Sequence, residues 1–166
     1  MDEMLRTLQA ALESTALSSF MRNWRWAWTI AESLHFIGMS LLIGTIGLFD
    51  LRLLGLARHI PVAALHRMIP IGIAGFTLNA MTGIAFLSAT PDQYLFNAAF
   101  RAKGGFFLVA GLNIAFFYTR QFRRLSDLAP GEQPALPARI VGGVSLCAWI
   151  GVMSAGRLLT FFRPPY

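Results

Sequence analysis

Runs of apolar residues, broken by prolines and small charged clusters, divide the chain into a polar start and four long segments. A helix crosses a bilayer in about 20 apolar residues. Stretches of that kind run roughly over Trp26–Leu48, Met68–Ala89, Phe106–Tyr118 extended back toward Phe100, and Ile140–Phe162. No period-2 alternation runs through them, so a barrel is not indicated. Helices satisfy their own backbone hydrogen bonds in lipid. The pattern predicts an all-α membrane protein, an up-down bundle of four transmembrane helices occupying residues 23–166. In residues 1–22, Met4, Leu5, Leu8 and Leu12 recur at helical spacing. That predicts an amphipathic helix on the membrane surface or across the bundle mouth. Asp2 and Glu3 stand where a signal peptide would be basic. The first span is therefore expected to act as an uncleaved anchor.

The breaks between segments give the connectivity. ATPDQY ends the second span in a turn, LAPGEQPALP at Leu128–Pro137 links the third to the fourth, and RPPY cannot continue a helix. Short connections pair spans one and two in one hairpin and spans three and four in another. Composition sharpens this picture: 13% of the residues are charged, about half the share of a soluble domain. The net charge of +6 does not indicate nucleic-acid binding, because the basic residues flank the spans. They divide evenly between the two faces, but Lys103 and Arg157 fall inside expected helices and count less. The positive-inside rule then puts both termini outside the cytoplasm. Cys147 is the single cysteine, so a disulfide framework is excluded. Its expected role is that of a small buried apolar residue.

Candidate chemistry centres on the first span. His35 lies 11 residues after Trp24, about 16 Å along a helix axis, with Glu32 one turn before it. Ionisable side chains in hydrocarbon are costly and mark functional sites by default. Trp28, Glu32, His35, Met39, Leu42 and Ile46 share one stripe at helical spacing. Ser40, Gly44 and Gly47 form a neighbouring stripe of small residues, which lets another backbone approach. Gly72, Gly75, Asn79 and Gly83 align on span two, and Gly142, Ser145, Trp149, Met153 and Gly156 on span four. Up-down topology brings Lys103, Met153 and Arg157 to the same membrane half as Glu32 and His35.

A neutral imidazole is a common ligand of metals and of haem. Here His35 is the candidate axial and metal ligand, with Glu32 orienting it or relaying protons. Met153, Lys103 or Glu32 could supply a second ligand. Lys103, Arg157 and Arg25 could pair with propionates, and Trp28, Phe106 and Trp149 could line a ring. A copper site would instead use His35, Met39 and Met153. The remaining alternative is a scaffold in which Glu32 and His35 merely join helices. His59 and His66 fall on the opposite face and are expected at the surface. Asp50 and Arg52 are expected as an interfacial ion pair, and Asn113 as an interhelical hydrogen-bonder.

The segment SLHFIGMSLLIGTIGLFDLRLL, with His35, Gly44 and Arg52, resembles the first helix of HemJ-type protoporphyrinogen oxidases. Those are small four-helix membrane proteins with a haem-ligating histidine in that helix and a functional lysine opening a later one. Lys103 in FRAKGGFFLVAGLN matches that lysine, whereas Leu42 and Ile43 stand where the family has an aromatic before the glycine. The same helix resembles CopD-type copper-resistance proteins. ESLHFIGMSLLIGT, GFTLNAMTGIAFLSATP, FRAKGGFFLVAGLN and SAGR together resemble an uncharacterised family of bacterial membrane proteins of this size. The resemblances imply a protein of the bacterial inner membrane that binds haem b, or alternatively copper. Its expected role is electron transfer or small-molecule redox chemistry, with Glu32 and Lys103 as the catalytic candidates. The expected partners are membrane lipid and a quinone or a periplasmic redox or metal protein, with self-association left open.

Overall fold

Capping side chains and prolines set where the helices begin. The computed structural model describes residues 2–126, 128 and 131–162. Among these the helices are α1 (Asp2–Glu13), α2 (Ala16–Asn23), α3 (Ala27–Leu53), α4 (Val62–His66), α5 (Ile69–Ala89), α6 (Pro91–Leu95), α7 (Ala98–Phe116), α8 (Phe122–Ser126) and α9 (Leu136–Leu158). A π-turn, Phe117–Gln121, joins α7 to α8, and no strand occurs among the described residues. Part of the 128–137 linker and the RPPY end lie outside them.

The amphipathic start is two helices rather than one. The Thr15 hydroxyl accepts from the Ser18 amide and caps α2, a favoured arrangement at a helix start. Prolines open α5, α6 and α9 within their first two positions, where the missing N–H costs nothing. Pro137 therefore starts the fourth span before the expected Ile140, and that helix ends at Leu158. Asn97 caps α7 by accepting from the Ala99 amide at 2.9 Å. Its own amide donates to Leu159 O at 3.0 Å, tying the start of α7 to the end of α9.

Four segments are long and apolar enough to cross a membrane: Ala27–Leu53, Val62–Ala89, Ala98–Gln121 and Leu136–Leu158. The fold is that of a multi-pass helical membrane protein. Helix α3 packs chiefly on α5 and α7 on α9, and the two hairpins join along α3 and α9. The tightest crossing is Gly38 on Gly75. A Cβ on Gly38 would stand 2.8 Å from Gly75 O, and one on Gly75 would stand 2.6 Å from Gly38 O. Only residues without a side chain permit such an approach. The expected Ser40, Gly44 and Gly47 stripe does not mediate it: Gly44 is exposed, with no atom within 4 Å of a built Cβ. Asn113 donates to Val141 O at 3.0 Å, joining α7 to α9 as expected.

Apolar contacts close both ends. Phe49, Leu53, Val62, Leu65, Phe117, Leu125, Ala138 and Val141 form the core at the loop end. At the other end Met21 of α2 packs on Ala27, Ala31, Ala85 and Ala89. The N-terminal helices thus cover the α3–α5 pair near the end of α5, over the membrane half that holds His35.

Candidate functional site

His35 lies eight residues into α3, about 12 Å along its axis. Its Nδ1 is 2.8 Å from the Thr82 hydroxyl on α5. That hydroxyl also lies 2.8 Å from the carbonyl of Leu78, one turn earlier on its own helix. A hydroxyl has one hydrogen and a carbonyl can only accept. The Thr82 hydrogen therefore goes to Leu78 O, and Nδ1–H of His35 donates to the Thr82 oxygen. The imidazole is held in the tautomer whose Nε2 is an unprotonated base, the form that binds metals. Phe86, one turn beyond Thr82, meets the His35 ring edge-on at 5.6 Å and the Trp28 ring at 4.9 Å.

Lys103 of α7 forms the facing wall. Its ammonium is near enough to act on His35 through its charge. It stands 5.8 Å from the centre of the Phe107 ring and beside Gly156 of α9, 3.7 Å from where a Cβ would be. Among the described residues it has no carboxylate partner. Below lies an aromatic floor: the rings of Phe76, Phe107 and Trp149 stand 6.0–6.3 Å apart, centre to centre. Thr82 is six residues past Phe76, about 9 Å along α5, and Lys103 four residues before Phe107, about 6 Å along α7. Antiparallel helices put both on the same side of the floor, the half containing the N-terminal helices. Trp149 is buried, and its indole N–H has no hydrogen-bond partner.

The sequence-based candidates divide into those the fold brings together and those it does not. His35 and Lys103 share the compartment. Met39 and Met153 are half-buried, while Trp28 is exposed and stacks on Phe86. Glu32 and Arg157 are exposed. No hydrogen bond joins Glu32 to His35; the orienting partner is Thr82. Arg25 is exposed and lies over the Trp26 ring. Phe106 is partly exposed.

Four expectations outside the compartment change. Cys147 is exposed, because α9 turns Ser145, Ala148, Trp149 and Val152 inward and leaves position 147 on the outer face. His59 is exposed as expected, but His66 is half-buried among Phe49, Tyr118 and Phe122. Asp50 and Arg52 form no ion pair, since positions two apart on a helix point to different sides. Both are buried, Asp50 beside the Ser145 hydroxyl and Arg52 donating Nε–H to Ile60 O at 2.8 Å. Thr82 and Phe86 were not singled out from the sequence. Thr82 stands three residues after Asn79, on the small-residue face of span two, and that spacing was the available signal.

Compared with known proteins, the chain matches no family model, no curated protein and no solved structure.

Proposed function

We propose that the compartment between the hairpins binds haem b, with His35 as the axial ligand, and that the protein serves electron transfer or small-molecule redox chemistry in a bacterial inner membrane. The observation that carries this reading is the fixed tautomer: Thr82 takes Nδ1–H and leaves Nε2 as a base. The surrounding donors suit the group. The Lys103 ammonium and the Trp149 N–H have no acceptor among the described residues, and a macrocycle with anionic side groups would supply one. Among the described residues no three of His, Cys, Asp or Glu come together. A bare ion held by several such side chains is less well served than a macrocycle, which brings most of its own ligands and needs one from the protein.

When bound, the group would supply one-electron chemistry. This chain's residues would do the rest. His35 would hold the iron, Thr82 would fix the imidazole plane, and Lys103 would neutralise an anionic edge. Phe86 and the aromatic floor would keep water from the ligand. Glu32 is exposed and would act at the membrane surface, as a relay between compartment and solvent. Loss of a Soret band in His35→Ala tests the reading; a colourless protein that retains copper through His35, Met39 and Met153 would replace it with copper handling.

A further inference from the structure

A second feature, independent of the His35 compartment, lies at the opposite face. A groove of about 210 Å³ opens between α4 and α8, lined by Val62, Ala63, His66, Arg67 and Phe122. Its walls are apolar and its polar groups stand together where α4 meets α5. The π-turn adds a residue before α8, and Tyr118 and Phe122 then both meet His66. Tyr118 Oη lies 3.3 Å from His66 Nε2, and the Phe122 ring is 4.6 Å from the imidazole. Arg67 is exposed and has no carboxylate partner among the described residues.

Size and depth narrow the occupant. Sites that enclose a whole small molecule hold roughly 300–1,000 Å³, so this groove seats part of a molecule whose remainder lies elsewhere. Val62–Ala89 spans 28 residues, about 42 Å at ~1.5 Å per residue, the full thickness of a bilayer with its headgroups. The first turns of that segment, where the groove lies, therefore stand at headgroup level. Charge adds the sign: Arg58, Arg67, Arg120, Arg123 and Arg139 are exposed on this face. Basic pockets between membrane helices bind anionic lipid heads.

We infer that the groove is a binding site for an anionic phospholipid, whose phosphate pairs with Arg67 and whose acyl chain lies along Val62, Ala63 and Phe122. The test titrates the full chain in detergent with phosphatidylglycerol, phosphatidylcholine and inorganic phosphate, reading bound lipid by native mass spectrometry. Phosphatidylglycerol is expected to bind about tenfold tighter than phosphatidylcholine, the scale of one charge-assisted pair. Arg67→Gln should abolish that preference. Ala63→Trp, which fills the groove and keeps every charge, should lower binding of both lipids. Arg139→Gln should leave the preference intact. Both altered groove positions are exposed, and circular dichroism checks that each variant is folded. Equal affinity for the two lipids, retained binding in Ala63→Trp, an equal loss in Arg139→Gln, or displacement of the lipid by equimolar phosphate would each overturn the assignment.

Discussion

At residue scale, Thr82 decides what His35 can do. Groups that orient a metal ligand typically change affinity by 10–100-fold when removed. Thr82→Val, nearly equal in volume, is expected to lower haem retention about tenfold, and Thr82→Ser to preserve most of it. Retention is read as the haem-to-protein ratio after purification; equal ratios in both variants would show that the hydroxyl does not matter. Asn97 is the second such residue, buried and joining two helix ends. Loss of a cap costs about 1 kcal/mol and loss of a hydrogen bond about 1 more. Asn97→Ala should therefore destabilise the protein by about 2 kcal/mol, measurable as a lowered thermal midpoint in detergent. His35 was legible in the sequence because an imidazole in an apolar run is conspicuous. Thr82 was not, because a threonine in a membrane helix usually bonds its own backbone, and only the α3–α5 register shows that this one also meets a histidine.

At element scale, one glycine contact sets the spacing of the first hairpin. Gly38 and Gly75 leave no room for a methyl group, and overpacking a tight contact costs typically 1–3 kcal/mol. Gly38→Val is expected to lose stability in that range and, by parting α3 from α5, to lengthen the His35–Thr82 hydrogen bond. Gly44→Ala is the opposite case, with open space around it. It should be neutral or gain up to about 1 kcal/mol of helix propensity. Thermal denaturation of the two variants separates them, and similar losses in both would contradict the crossing described. The spans were readable in the sequence to within a few residues because hydrophobic length is a direct physical signal. Which glycines touch was not, because Gly38 and Gly44 are equally small and only helix rotation distinguishes them. The same rotation places Glu32 and Cys147 outward.

At the scale of the whole molecule, two hairpins joined along α3 and α9 leave α5 and α7 to meet through rings. Helix lengths and short connections made that topology legible, and topology alone brought Lys103 to the half of the bundle that holds His35. What the pattern of apolar residues did not reveal is the floor beneath them, because Phe76, Phe107 and Trp149 resemble any other aromatics of a membrane span. The buried Asp50 and Arg52 were misread for a related reason: spacing suggested a pair, whereas packing against α9 and the loop after α3 separates them. The central claim concerns what the space above the floor holds, and the absorbance spectrum of detergent-purified protein tests it most directly. A Soret band in the wild type that is absent from a folded His35→Ala variant is the expected result; a wild type without the band after expression with ample haem, or an unchanged band in His35→Ala, would contradict it.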